Sequence, residues 1–405
     1  MEEKLKVVHL FSGIGAPERA LDRLKIPYEI VGYSEIDKYA IQAYKALNGD
    51  VPSLGSVKDI ERLPKANLVV YGSPCQDFSV AGNQKGLIDS EGNQTRSGLL
   101  FEVERLIETA KAHDELPEFL LMENVKNLVS KKFKPDFDRW LNKLEELGYK
   151  NYWKVLNAKD YLIAQNRERV FVISIRKDID KVYEFPEPKP LTKRLKDILE
   201  EKVDEKYYLS EKAIAGFKKH NENHENKGTG FIWKPKTGED IVNCLRANMH
   251  KNCPTDNYII EEGNIYPNSG NPQAGRIYNS DGISPCLDTC SGGNRMPKIV
   301  EEPLIAASRG RYQEDGSTEQ QLEINETGCA NTLTTVQKDN LVVENRLRIR
   351  RLTPKECWRL MAFTDEEFDK VQATGISNTQ LYKMAGNSIV VNCLIALFFN
   401  LLLKK

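Results

Sequence analysis

A chain of 405 residues, 40% hydrophobic and 29% charged, has the makeup of a folded globular protein with room for two or more domains. Its formal net charge of −1 excludes an overall electrostatic footprint for nucleic acid, so any such partner must be met by a local patch. Cys75, Cys244, Cys253, Cys286, Cys290, Cys329, Cys357 and Cys393 are widely scattered. The opening Met-Glu-Glu-Lys leads straight into a strand-like run, which is not the pattern of a signal peptide. Reduced thiols in a cytoplasm are therefore expected, and the cysteine spacings fit no common zinc pattern, so no metal is expected.

In chain order, Lys6-Val7-Val8-His9-Leu10-Phe11 reads as a strand, followed by a glycine turn and a helix over 17–24. A second strand over 28–34 ends at Glu35, and a third candidate precedes Asp59-Ile60. Asn67-Leu68-Val69-Val70-Tyr71 reads as a buried strand that Gly72-Ser73-Pro74-Cys75 breaks into a loop. Leu99, Leu100, Val103, Leu106, Ile107 and Ala110 recur at helical spacing, as do Phe137, Trp140, Leu141, Leu144 and Leu147. Between them, Glu118-Phe119-Leu120-Leu121-Met122 reads as a strand with Glu123 at its tip. A late strand runs over 169–175. Strand–helix alternation of this kind predicts an α/β fold with a mainly parallel, doubly wound, Rossmann-like sheet.

The proline cluster at 185–190 reads as a linker. From there to about Asn345 the chain is rich in Asn, Gly, Thr and Pro, which predicts a smaller β-rich unit of strand–loop–strand pieces. Helix signals then return. Thr353-Pro354-Lys355-Glu356 fits a capping box with proline at the first helical position. Ser377-Asn378-Thr379-Gln380 fits another, with Gly386 as the residue closing that helix. The apolar stretch 389–403, interrupted by Asn392 and Asn400, reads as a buried terminal helix, and no membrane is expected. The domains expected are 1–185, completed by 377–405, and a small unit over 186–376.

In a parallel sheet the carboxyl ends of strands line the ligand crevice. Cys75 and Glu123 would then face one pocket, a pair suited to adding sulfur to an electron-poor ring while an acid protonates it. Phe11-Ser12-Gly13-Ile14-Gly15 opens a helix, and Glu35 lies at the next strand tip, where an acid can grip ribose hydroxyls. Taken alone this fits NAD, FAD or S-adenosylmethionine. Glu18 stands where a dinucleotide fingerprint has its third glycine, and a carboxylate there would repel a pyrophosphate. Asp59 and Ile60 could meet an adenine. Arg167 and Arg169 alternate on one face and could hold a base carbonyl and a phosphate. Arg346, Arg348, Arg350, Arg351, Lys355 and Arg359 form a local basic window, open to phosphate contact or to plain solvation.

Together these motifs resemble the C5-cytosine DNA methyltransferases of bacteria and phages, over nearly the whole length and in the right order. The resemblance rests on Phe11-Ser12-Gly13-Ile14-Gly15, Glu35, Asp59-Ile60, Pro74-Cys75-Gln76, Glu123-Asn124-Val125 and Gln165-x-Arg167-x-Arg169. It continues through Arg351-Leu352-Thr353-Pro354-x-Glu356 with Arg359-Leu360, and Gly386-Asn387-Ser388-Ile389-Val390. Two positions depart from the family pattern: Ala362, where glycine is usual, and Ile36, where an aromatic is common.

The resemblance implies sequence-specific methylation of cytosine carbon 5 in double-stranded DNA, with S-adenosyl-L-methionine as cofactor and the base flipped out of the duplex. Cys75, Glu123, Arg167 and Arg169 would be catalytic, with Glu123 protonated near neutral pH in a desolvated pocket. Phe11, Gly13, Gly15, Glu35, Ile36, Asp59, Ile60, Pro74, Leu99 and Asn387 would surround the cofactor. Ser79 would touch the DNA backbone. Base reading is expected in the small unit, near Arg246, Arg295, Arg309 and Arg311. A monomer in the cytoplasm is expected, with a cognate restriction endonuclease as a candidate partner. The weighed alternatives are a catalytically silent DNA-binding relative, an RNA-modifying relative and a Rossmann oxidoreductase. Intact Cys75, Glu123 and Arg167 speak against the first, and the long variable segment against the second.

Overall fold

The computed structural model describes residues 4–73, 96–193, 195–198, 200, 202–204, 277–278, 284–285, 298–299, 305–312, 318–325, 341–342 and 350–404. Its centre is a seven-stranded sheet. Five strands run parallel: β1 (Leu5–Leu10), β2 (Tyr28–Ser34), β3 (Ser53–Gly55), β4 (Leu68–Tyr71) and β5 (Phe119–Val125). Two antiparallel strands, β6 (Tyr149–Asn157) and β8 (Glu168–Arg176), complete it in the order β3-β2-β1-β4-β5-β8-β6. The two-residue β7 (Gln165–Asn166) stands just before β8. The sheet is thus mixed rather than parallel throughout, and β6 was not foreseen. Its lysines, Lys150 and Lys154, stand on the exposed edge, where they discourage further strand pairing.

Residue alternation along each strand builds a core on either face. Val7, Leu68, Val70, Leu121, Phe171 and Ile173 point to one side, and Val8, Val69, Tyr71, Leu120, Met122 and Val172 to the other. The second side is covered by α3 (Leu100–Ala112) and α4 (Lys134–Leu147), through Val103, Leu106, Ile107, Phe137, Trp140 and Leu144. α1 (Ala16–Arg23) lies on the first side, and α2 (Lys38–Asn48) follows β2.

The C-terminal helices join the first side. They are α5 (Pro354–Leu360), α6 (Asp365–Gln372), α7 (Asn378–Asn387) and α8 (Val391–Phe398), the last continued by a π-helical turn over Phe399–Leu403. Leu352, Trp358, Leu360, Met361, Phe368 and Val371 share the core of Val7 and Val70. Residues 352–376 therefore pack with the large sheet, although the sequence reading grouped them with the small unit. The helical stretch Asn378–Leu403 is long and apolar enough in composition to cross a membrane. Val391, Leu394, Leu397 and Phe398 are nevertheless buried against the sheet, as in a core helix.

Between 277 and 351 only backbone pairing is described. β9 (Ile277–Tyr278), β11 (Lys298–Ile299) and β15 (Arg350–Arg351) form one small sheet, and β12 (Ile305–Tyr312), β13 (Thr318–Asn325) and β14 (Leu341–Val342) another. β10 (Ser284–Pro285) pairs in parallel with β7.

The capping box at α5 is present, with Thr353 Oγ accepting from the Glu356 amide and Glu356 accepting from the Thr353 amide. Thr364 and Glu367 make a second box on α6. The expected box at Ser377 is not made: Ser377 is the N-cap residue, but its side chain makes no cap bond. Gly386 does not close α7 either. The helix runs through it to Asn387, because Arg167 satisfies the Gly386 carbonyl that a terminal turn would otherwise have to satisfy.

Ala362, one of the departures from the family pattern, has a left-handed backbone with φ 65°. That conformation brings a side chain too close to its own carbonyl, which explains why glycine suits the position. The Ala362 carbonyl also accepts from Arg23, which is paired with Glu367 at 3.0 Å. Ala362→Gly should therefore stabilise the protein by about 0.5–1 kcal/mol in denaturant melts. An unchanged or lowered midpoint would mean that the turn is not strained by its Cβ.

Candidate active site

The carboxyl ends of β1, β2, β4 and β5 lie side by side, and the candidate residues gather there. After β1 the chain turns through Phe11 (φ 56°), Gly13 (φ 54°) and Gly15 (φ 84°), all left-handed. A left-handed phenylalanine is uncommon and marks a turn held by its surroundings. At Gly15 a Cβ would also sit 2.9 Å from Asn48 Nδ2 and 3.2 Å from Glu18 Oε2, so a side chain there would be both strained and crowded. The Ser12 amide donates to the Ser34 carbonyl at 3.0 Å, joining the two strand ends.

Glu35 completes this loop. Its Oε2 accepts from the Gly13 amide at 2.9 Å, and its Oε1 from the amides of Ile36 (2.8 Å) and Asp37 (2.9 Å). Three of roughly four lone-pair sites on the carboxylate are thus taken by backbone. Asp37 caps α2 through the Tyr39 amide and receives Lys383 Nζ at 2.6 Å from α7. Burial pushes the Asp37 carboxyl up, but the bonds from Lys383 and the Tyr39 amide outweigh it and hold it below the usual range. Lys383 was not foreseen, and no local signal marks a partner so distant in sequence.

Ile36 is 75% exposed beside Glu35. Asp59 is exposed, whereas Ile60 is buried in the core with Val57 and Leu63. Leu99 is half-buried against that same core, and Asn387 is exposed at the end of α7.

Glu18 does not face the glycine loop's open side. It is fully buried, with Oε1 3.0 Å from His9 Nδ1 and 2.7 Å from the Tyr44 hydroxyl, which donates to it. Its carboxylate is a structural anion beneath the loop.

The second half of the site lies at the ends of β4 and β5. Asn124 Nδ2 donates to the Ser73 carbonyl (3.3 Å) and to Ser73 Oγ (3.2 Å), both residues being buried. A Cβ on Gly72 would lie 3.7 Å from Glu123 Oε2. The chain leaving β4 therefore passes directly beside the Glu123 carboxylate. Pro74, Cys75 and Ser79 lie outside the described residues, as do Arg246 and Arg295. Arg309 and Arg311 lie on β12, where their backbones pair with Gln321 and Glu319 of β13.

Arg169 Nε lies 3.1 Å from Glu123 Oε1, with both side chains largely buried. The β5–β8 register explains this contact. Glu123 is opposite Phe171 and Val125 opposite Arg169, so Glu123 and Arg169 are diagonal neighbours on one face. Arg167 takes another course. It is buried, and its guanidinium donates to the carbonyls of Gly386 (3.1 Å) and Ser388 (2.9 Å). Gln165, also buried, donates to the Leu360 carbonyl at 2.9 Å. The Gln-x-Arg-x-Arg stretch thus fastens the C-terminal helices to the sheet and offers Arg169 to Glu123.

Cys393 feels the charges of Arg167 and Glu123, but burial pushes its thiol up to about 12. It is therefore inert as a nucleophile at neutral pH. Among the described residues, no group of three or more His, Cys, Asp or Glu side chains could hold a metal ion.

The chain is similar to known proteins over nearly its whole length. The orphan methyltransferase M.SPRI of Bacillus phage SPR is 34% identical, covering 98% of both chains. The type II methyltransferase M2.ScrFI of Lactococcus lactis subsp. cremoris is 30% identical, covering 97% of this chain and 98% of its own. Among solved structures, S. pombe Dnmt2 methyltransferase aligns with a TM-score of 0.59 at 17% identity over 98% of each chain, which is a likeness of fold. The family profile described as C-5 cytosine-specific DNA methylase matches residues 5–402, and the chain belongs to that family of DNA-methylating enzymes.

Proposed function

We propose that this enzyme methylates cytosine within a defined sequence of double-stranded DNA, through a covalent Cys75 adduct on a flipped base and with S-adenosyl-L-methionine as methyl donor. The observation that carries this reading is the Glu123–Arg169 pair packed against Gly72 and Ser73. Cys75 is two residues beyond Ser73, within a reach of roughly 7 Å. A thiol and a carboxyl group can therefore meet one ring.

The residues present fit the cofactor. Among the described residues, none comes within 4 Å of a Cβ built at Gly13, whose amide donates to the Glu35 carboxylate, which leaves room there for a ligand. Gly13, Gly15 and Phe11 would border it, Glu35 would bind ribose hydroxyls through its remaining lone pair, and exposed Ile36 would cover the adenine. When bound there, the cofactor supplies an electrophilic methyl group. Glu35→Ala should weaken its binding by about 1.5–3 kcal/mol, the scale of hydrogen bonds to a charged group, as read by calorimetry. Unchanged affinity would move the cofactor elsewhere.

The protein's own steps concern the base. The Cys75 thiolate forms a bond to cytosine carbon 6 while Glu123 gives a proton to ring nitrogen 3. Carbon 5 becomes nucleophilic and accepts the methyl group. A base then removes the carbon 5 proton, the electron pair expels Cys75 as thiolate, and ring nitrogen 3 returns its proton to Glu123. Arg169 favours the ionised form of Glu123, so the acid role requires the entering cytosine to compete for Arg169. Arg167 supports the site from behind.

We assign residues 1–185 and 352–404 to the catalytic unit and the intervening segment to DNA reading. The earlier boundary at 376 moves to Leu352 because 352–376 share the large core. We take the enzyme as a cytoplasmic monomer serving restriction–modification or phage self-protection; the type II methyltransferase M2.ScrFI and the phage-borne M.SPRI among its relatives support that choice of role. Duplex DNA carrying 5-fluorocytosine should trap a protein–DNA adduct in the presence of cofactor, because fluorine cannot leave as a cation. Cys75→Ala should trap none. An equal adduct in the variant would disprove the role of Cys75, and methylation of transfer RNA alone would favour the RNA-modifying reading.

A further inference from the structure

The chain last packs with the large core near Ile198 and Val203 and rejoins it at Leu352, and the structure binds these two crossings to each other. The Glu200 amide donates to Glu356 Oε1 at 2.9 Å, and the Thr353 amide to Glu356 Oε2 at 2.7 Å. The Thr353 hydroxyl accepts from the Glu356 amide at 3.2 Å and donates to the Glu200 carboxylate. Arg359 extends the lattice: it donates to the Ile198 carbonyl at 2.9 Å and is paired with Asp365 at 2.6 Å. Its charge is felt by both Glu200 and Glu356, which lets two carboxylates share one place. Glu356 is fully buried and Thr353 nearly so. The Tyr382 hydroxyl holds the adjoining Leu352 carbonyl at 2.5 Å.

Helix capping alone does not require Glu200. Among the described residues, the threonine of the second capping box, Thr364 with Glu367, takes its further carboxylate from Glu366 of its own turn and not from a distant segment. The addition at α5 has another effect. A segment joined by two separate tethers can swing about each of them. When both tethers are bonded at one point, that freedom falls to a single pivot, and Glu200 is held through both its amide and its side chain.

We propose that Glu200, Thr353 and Glu356 form a clasp that fixes the orientation of the inserted segment relative to the catalytic unit. Glu200 and Thr353 are then positioning residues for sequence discrimination, touching neither DNA nor cofactor. This inference rests on the reading of the inserted segment as the DNA-reading part.

The test uses the full chain with spin labels carried on an unnatural amino acid at positions 150 and 320. Position 150 is on the exposed edge of β6, and 320 lies in β13. Glu200→Ala and Thr353→Val should broaden the distance distribution between the labels, whereas Glu200→Gln and Thr353→Ser, which keep the bonding atoms, should restore it. The rate ratio between the enzyme's own DNA site and single-base variants of it should fall about tenfold in the first pair, the scale set by one misread base pair. Cofactor affinity should be unchanged in all four. An unchanged distance distribution in both Glu200→Ala and Thr353→Val would overturn the clasp. A broadened distribution with undiminished discrimination would overturn its positioning role. Absence of methylation by the unsubstituted protein would instead defeat the functional reading, and the distance measurement would still decide on the clasp.

Discussion

Glu123→Gln is expected to lower methyl-transfer turnover by about two to four orders of magnitude, the range for removing a positioned acid. The substitution keeps the side chain's size and leaves one oxygen to accept from Arg169 Nε, which lies 3.1 Å from Glu123 Oε1. The strand register around it is set by backbone bonds to β8 and should not change. What disappears is the ability to pass a proton to the ring. Without that proton, addition at carbon 6 must place negative charge on the ring, so the adduct forms slowly and little of it is present to take the methyl group. Duplex binding and cofactor affinity should largely survive. Single-turnover methylation at saturating DNA and cofactor is the measurement. A loss below about tenfold would deny Glu123 the role of acid.

The large sheet was legible in the sequence because its signals are local. Short apolar runs ending in glycine, a cysteine or an acid are readable wherever they occur, and Tyr28–Ser34 matches its expected range. Parallel packing also follows from strand–helix alternation. The antiparallel insertion of β8 between β5 and β6 does not, because a strand's pattern specifies its buried faces and not its neighbours. The same limit explains the misread helix end. Gly386 looks like a stop signal until Arg167, 219 residues away, takes its carbonyl. Arg167 and Arg169 are expected to act on the base; Arg169 stands beside Glu123, and Arg167 also bonds the Gly386 and Ser388 carbonyls, contacts that alternation along the chain does not reveal. Ala362 reads as a neutral departure in sequence and becomes a strained one once its φ is known.

Glu18 is the residue whose loss should cost the fold most. Its carboxylate has no exposure and bonds to His9 and Tyr44 within the layer beneath the glycine loop. Tyr44 in turn stacks on Tyr33 at 4.4 Å, so one anion orders side chains from β1, β2, α1 and α2. Glu18→Ala removes one partner of a buried pair, strands His9 and the Tyr44 hydroxyl, and opens a void. About 3–5 kcal/mol of stability should be lost. Glu18→Gln keeps an acceptor and the volume and should cost less, about 1–3 kcal/mol. The acid side separates this from plain packing. Burial alone would raise the Glu18 carboxyl, but His9 and the hydrogen bonds from His9 and Tyr44 win, and it is held below its ordinary 4.5. A carboxyl lowered on folding adds stability that is complete above its unfolded value and is lost as pH falls through the folded one. Denaturant melts of the unsubstituted protein should therefore lose stability more steeply below pH 4.5 than those of Glu18→Gln. Parallel acid limbs in the two proteins would mean that Glu18 is held by packing and neutral hydrogen bonds, and that the ion pair with His9 contributes nothing.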